Sequence, residues 1–492
     1  MRARAALPLA AVALALGAPP ALAGDAGLRA AVDRGLPTVD GAAARTSPGD
    51  PGSVQALYDA ARDLSEAVAR AAPAGRPCRA LLAAARRYAG ARVAQAEGID
   101  RLDPRRSAAA ATRARAARAV VAAARRRCRG DARLPAGPRA VVSPGAGEAF
   151  FGEVVARAPA GAGAARILLD GAVVVEAPVA GGRVRASIVA APGRHDLEVR
   201  FLAGGREAGL ARAPAVWLLP STARAARPGA RLDAALSARL AAAARASGVQ
   251  AALWTQDLGS GTAGGWNADA RFPAASTVKL GLLVGALARL GPGPSPLRYD
   301  LAAMTTWSSN LATNRLLDRL GDGAALAQET LVRLGARSST FPGGYIVGTE
   351  LQPALPSPGA PDPPPPVSRR VTTARDLARA LFAIHAAAAG SAQARRETGL
   401  TVRAARLALG WLLASEQAGD NASLVAGGVP AGTPIAQKNG WLRAARHGAA
   451  LVYDAAGPRI VVVMTYRGAG VPRARAAALG ARAARLAAAT RL

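Results

Sequence analysis

Lysine is almost absent from this chain. Of its 63 lysine and arginine residues only Lys279 and Lys438 are lysine, and the other 61 are arginine. Aromatic residues make up 4%, and 492 residues hold three histidines and two cysteines. Each scarcity removes a class of function. Few aromatics leave no stacking platform for nucleic acid, and no binding motif stands in for one, so no specific nucleic-acid partner is expected. Two cysteines make no zinc site without ligands that their neighbourhood lacks. No His, Asp and Cys cluster has metal-ligand spacing and no glycine-rich phosphate loop follows a strand, so neither metal nor cofactor is expected. Beyond the N-terminus no stretch reads as a transmembrane anchor.

What the chain does have is charge of one sign. The 63 basic residues face 32 acidic ones, a formal net charge of +31. They are spread along the whole length beside abundant alanine, which reads as biased composition. A weak attraction to an anionic cell envelope is the one partner that the charge itself suggests.

The length allows several domains, and composition marks four parts. Residues 1–23 carry two arginines, an apolar run from Ala5 to Ala18 and a small-residue site Ala21-Leu22-Ala23. That is a secretory signal peptide, and it predicts an exported protein, extracellular or held at the envelope. Residues 24–135 show leucine and valine at helical spacing among alanine and arginine, a bundle of about three helices. Cys78 opens a helical stretch over 78–98 and Cys128 closes the next, over 105–129, with Asp103 as cap and Pro104 as first residue of the second. An antiparallel hairpin sets those ends side by side, and an oxidising compartment permits a bridge, favoured here over two free thiols. The stretch 113–129 holds seven arginines and no acid, and is read as a solvated face.

From 137 to 220 the pattern turns to short alternating segments: an Asp170-Gly171 hairpin turn, then Val184, Ala186 and Ile188 on one face, then Leu197, Val199 and Phe201. A small β-sandwich, immunoglobulin-like, is expected, with His195 on a surface strand. Residues 228–492 hold both lysines and five of the six tryptophans, and there the chemistry should lie.

In "FPAASTVKLGLLVGALARL" Ser276 and Lys279 share the first turn of an apolar, buried helix. A serine hydroxyl is a poor nucleophile until a neighbour takes its proton. Lysine can serve once its surroundings lower its pKa; arginine cannot, because it does not deprotonate in proteins. Further on, "MTTWSSNLATNRLL" exposes Ser308, Ser309 and Asn310 at a break between two helices. Near the end, "PIAQKNGWL" reads as an edge-like strand in which Lys438 and Asn439 precede Gly440, where a backbone can approach a ligand closely. His385, Trp307 and Trp411 read as structural residues.

Ser-x-x-Lys, then Ser-x-Asn, then a Lys-x-Gly triplet, in this order, resembles the signature of the class A β-lactamase and penicillin-binding serine hydrolases, over roughly residues 228–492. The resemblance implies an α/β domain with an antiparallel sheet flanked by helices, and catalysis by Ser276, Lys279, Ser308 and Lys438. It further implies that Asn310, Asn439, Gly440, Trp441 and His447 bind substrate, and that the N–H groups of Ser276 and Trp441 form an oxyanion hole. Asn439 stands where the family has threonine or serine, and Ser309 where the β-lactamases have aspartate. Only 32 positions separate Ser276 from Ser308, shorter than the family interval. Glu350 is the candidate deacylation base, although "ELQPAL" does not reproduce the family's Glu-x-x-Leu-Asn pattern.

The implied substrate is a β-lactam, hydrolysed through a Ser276 acyl-enzyme, or a related peptidoglycan-peptide amide. Two alternatives stand beside β-lactam hydrolysis. One is a D-alanyl-D-alanine peptidase or slow penicillin-binding protein of the cell wall. The other is a catalytically silent envelope-binding protein.

Overall fold

The computed structural model describes residues 24–71, 73, 75–128, 142–224, 229–345, 369–415, 422–455 and 457–489. Residues 1–23, with the signal peptide read from sequence, lie outside them, as does Glu350. The chain divides at Ala136/Gly137 into two compact units.

Among the described residues the first unit has four helices where about three were expected: α1 (Asp25–Arg45), α2 (Pro51–Arg70), α3 (Arg76–Asp100) and α4 (Pro104–Arg127). Buried Leu28, Val32, Leu36 and Val39 recur at helical spacing in α1, and the helix continues through Pro37. Asp103 caps α4, its carboxylate accepting from Arg106 N at 2.9 Å, and Pro104 takes the first position, where no N–H is needed. The hairpin of α3 and α4 carries the Cys78–Cys128 disulfide.

The second unit begins with β1 (Val142–Ser143), β2 (Ala149–Phe150), β3 (Glu153–Arg157), β4 (Ala164–Leu169), β5 (Ala172–Ala180), β6 (Arg183–Ser187), β7 (Gly193–Ala203) and β8 (Arg206–Leu218). Asp170 and Gly171 turn β4 into β5 with φ of +50° and +85°, as a two-residue hairpin requires. The expected inward residues, Val184, Ala186, Ile188, Leu197, Val199 and Phe201, are all buried in one core. The strands form a single sheet, ordered β1-β3-β6-β5-β4-β7-β8-β2. Its two halves are continuous because β5 pairs with β4 along most of its length and with β6 at Val179 and Ala180. This strand order leaves the immunoglobulin-like expectation unsupported. His195 lies on β7 and contacts Asp170 Oδ2 and Ala191 O.

The rest of the unit runs β9 (Arg231–Leu232), α5 (Ala234–Ala246), β10 (Gln250–Asp257), β11 (Thr262–Trp266), β12 (Phe272–Pro273), α6 (Lys279–Leu290), α7 (Arg298–Thr306), α8 (Asn310–Arg319) and α9 (Gly323–Arg333). It continues through β13 (Val371–Thr372), α10 (Ala374–Ala389), α11 (Ala392–Thr398), α12 (Val402–Ala414), β14 (Ile435–Leu442), β15 (Ala445–Asp454), β16 (Gly457–Tyr466) and α13 (Arg473–Ala488). Six strands form a sheet in the order β14-β15-β16-β10-β11-β9, antiparallel except for β9 beside β11. Strands from the start and end of the region thus interleave, and β14 is an edge. The run "IVVVMTY" of β16 is buried throughout, as a central strand covered on both faces must be. Helices α5 and α13 close one core over the sheet with Leu236, Leu240, Leu479 and Ala483, packed on Leu253, Val461 and Val463.

The β-rich module is latched to this region. Arg403 of α12 donates from Nε and Nη2 to the buried Glu148 Oε1 (3.1 and 2.8 Å), and Arg298 of α7 donates to Ala146 O at 3.3 Å. No helix among the described residues is long and apolar enough to cross a membrane.

Candidate active site

The site begins in the turn between β12 and α6. Thr277 donates from both N and Oγ1 to Ala274 O (3.1 and 2.7 Å), and Ala275 takes a left-handed φ of +48°, which presents Ser276 partly exposed. Lys279 is the first residue of α6, and every residue from Lys279 to Leu287 is buried. A helix apolar on all sides belongs inside a domain, so Lys279 is carried into the interior and is 1% exposed.

Its ammonium is met by the second motif. Lys279 Nζ donates to Ser308 O and to Asn310 Oδ1, both at 2.8 Å. Ser308 sits at the break between α7 and α8 with φ +63°. The next residue, Ser309, explains the departure from aspartate in local terms: it is the N-cap of α8, its hydroxyl accepting from Ala312 N at 3.1 Å.

The third motif arrives on the edge strand β14. Lys438 Nζ donates to Ser308 Oγ and to Asn439 O, each at 2.9 Å. Burial pushes the Lys438 ammonium from 10.5 down to about 7. Gly440 lets the strand close on the Ser276 turn, since a Cβ there would stand 2.8 Å from Ala274 O and from Thr277 Cγ2. Asn439 is buried, and the Trp441 ring lies 5.1 and 5.2 Å from the guanidinium carbons of Arg446 and Arg473. Lys438 therefore reaches the hydroxyl of a residue 130 positions earlier, whose carbonyl accepts from Lys279.

His447 takes a different place from the substrate contact expected of it. It lies on β15 opposite Gly440 and is fully buried, with Nε2 at 2.7 Å from Pro273 O and Nδ1 accepting from Thr465 N at 3.2 Å. Burial pushes the ring down to about 4, so it is neutral. Both ring nitrogens are used inside the protein, and the residue buttresses the β12 strand that leads to Ser276. His385 is also a core residue, its Nδ1 3.0 Å from Tyr453 Oη.

Sequence reasoning missed Tyr345, which lies against Lys279, and Arg370, which stacks on Tyr345; both come from stretches without periodicity. The Tyr345 ring lies 4.2 Å from Lys279 Nζ, and the Arg370 guanidinium lies 3.8 Å from the same ring. The one available signal was a tyrosine, one of only six, directly after Gly343-Gly344.

A partly exposed hydroxyl at the head of a buried helix, two buried amines and a hydroxyl bonded to one of them are the parts of an acyl-transfer site. Together with an antiparallel sheet between helices they define the β-lactamase and penicillin-binding fold. The β-lactamase enzyme family matches residues 234–299 and 292–490, a little over half of the chain, and the chain belongs to that family. Solved structures similar to this chain include a β-lactamase from Desulfarculus baarsii DSM 2075, 24% identical with TM-score 0.42, covering 52% of this chain and 97% of its own. PBP-A is 21% identical with TM-score 0.42, covering 54% and 99%. The β-lactamase from Streptomyces albus G is 23% identical with TM-score 0.40, covering 52% and 99%. No curated protein matches the chain.

Proposed function

We propose that this is an exported serine hydrolase that opens β-lactams through an acyl-enzyme on Ser276. The observation that carries the reading is the meeting of Lys279 and Lys438 on Ser308, 2.8 Å to its carbonyl and 2.9 Å to its hydroxyl. Lys279, as the free amine, takes the Ser276 proton while Oγ attacks the lactam carbonyl, and the C–O bond forms. The N–H groups of Ser276 and Trp441 hold the oxyanion of the tetrahedral intermediate. As the C–N bond breaks, Ser308 passes its proton to the leaving nitrogen and is resupplied from Lys438, whose burial makes it willing to give one up near neutral pH. Asn310 and Asn439 orient the substrate amide and carboxylate. Water then cleaves the ester, with Glu350 as the base that activates it.

A cell-wall peptidase or slow penicillin binder is the second reading, favoured by the Ser-Ser-Asn form in which Ser309 caps α8. One experiment separates the two. Intact mass is followed after a penicillin is mixed with the protein and with Ser276→Ala. Consumption of penicillin with at most a transient adduct supports hydrolysis; a lasting adduct on the wild type alone supports the binder. The Ser276→Ala rate is expected to fall by about 10⁴-fold or more. Neither adduct nor consumption would overturn both readings.

A further inference from the structure

Tyr345 touches Lys279 and the turn that presents Ser276. Its ring lies 4.2 Å from Lys279 Nζ, and its hydroxyl donates to Ala275 O, the carbonyl immediately before Ser276, at 3.2 Å. The residue is itself held from three sides. Asn314 of α8 accepts from Tyr345 N and donates to Tyr345 O, each at 2.8 Å. Arg370 stacks on the ring and donates from Nη2 to Gly343 O and Gly344 O at 2.7 and 2.9 Å. Phe341 meets the ring edge-on at 6.2 Å. So many constraints on one loop tyrosine fix where its ring and hydroxyl stand.

We propose that Tyr345 is a positioning residue: its ring holds the Lys279 ammonium in place and governs how readily the amine gives up its proton, while its hydroxyl pins the turn that presents Ser276. This rests on reading Ser276 and Lys279 as nucleophile and base.

A ring face favours the charged form of a lysine above it. Among the described residues the other groups around Lys279 are of two kinds. Ser308 O, Ser309 O and Asn310 Oδ1 are neutral acceptors that also favour the ammonium. Lys438, on the other side of Ser308, and Arg370, on the shared ring, are cations that disfavour it. Tyr345 therefore offsets the repulsion of two neighbouring cations. It does so as a neutral phenol, since burial pushes its own proton loss up to about 12.

The composition makes the idea directly measurable. Full-length protein grown with lysine labelled with ¹³C at Cε gives two lysine signals, assigned by Lys438→Met. In the wild type, the Lys279 protons should show ring-current shifts and a nuclear Overhauser contact to a tyrosine ring that disappears in Tyr345→Phe spectra recorded with labelled tyrosine. In Tyr345→Leu the Lys279 titration should move down by about one pH unit, with the Lys438 signal unchanged. Tyr345→Phe keeps the ring and should leave the titration in place, yet slow acylation by a fluorescent penicillin several-fold through loss of the Ala275 bond. An unchanged Lys279 titration in Tyr345→Leu, or no Overhauser contact in the wild type, overturns the proposal; the second needs no variant to fold. Failure of the wild type to be acylated would instead remove the acyl-enzyme reading, and the lysine spectra would still decide the role of Tyr345.

Discussion

Helix α4 of the first unit and the hydrolase region are written in the same alanine and arginine, yet they treat charge in opposite ways. Helix α4 buries only Ala110, Ala114, Val121 and Ala124 of its 24 residues, and its arginines stay at the surface, where Arg118 meets Asp40 at 2.9 Å and Arg125 meets Asp33. The hydrolase region takes charge inside. Arg315 and Asp300 pair at 3.4 Å with side chains 1% and 0% exposed, and both lysines are buried. Surface arginines need little from their neighbours, whereas each buried charge needs a built setting. The arginine bias also ends at the two positions where the proposed chemistry requires a cation that can lose its proton.

The sharpest way to break this contrast is Arg315→Leu, which removes the guanidinium that Asp300 meets in the core. Removing one partner of a buried pair costs about 3–5 kcal/mol. All six tryptophans lie between Trp217 and Trp441, so tryptophan fluorescence follows the second unit alone and should record the loss as an earlier melting transition. A change under about 1 kcal/mol would mean that the pair is no more demanding than a surface one.

Lys438 gives the next largest effect, with a sign set by pH. Its titration falls from 10.5 in the unfolded chain to about 7 in the fold, so between those values the unfolded state binds more protons and stability rises with pH. Lys438→Met removes this dependence. The variant should gain on the wild type by roughly 3–4 kcal/mol more at pH 7 than at pH 10, measured by urea unfolding at both pH values, and should lose activity at each. A gain independent of pH would show that Lys438 is charged at no cost.

The smallest effect belongs to the helical unit. Arg125→Ala removes an exposed pair with Asp33 and should cost less than about 1 kcal/mol, fading further in high salt. Far-UV circular dichroism melts, with unchanged tryptophan melts as the control, would test this.

How much of this was legible in sequence follows the same division. The α3–α4 hairpin was readable because Asp103 and Pro104 act locally, and so were the inward faces of β6 and β7, because period two needs no partner to be seen. Helix α1 runs on through Gly35 and Pro37, both poor helix formers, because Leu28, Val32, Leu36 and Val39 are buried together. The three motifs were visible because each lies on its own element, but nothing local showed that two amines meet on Ser308. His447 was misjudged because its partner, Pro273, is 174 positions away. Tyr345 and Arg370 stand outside any periodic segment, so only the folded chain brings Tyr345 to Lys279 and Arg370 to Tyr345.

The burial of Lys279 and Lys438, at 1% and 2% exposure, also shapes how the molecule meets reagents. With no other lysine in the sequence, the folded exterior carries no ε-amine for aldehydes, active esters or amine-directed cross-linkers. Such reagents meet the chain's α-amine and little else. A lysine adduct on the folded protein would therefore record the interior coming open, making unmodified mass a built-in gauge of a closed site.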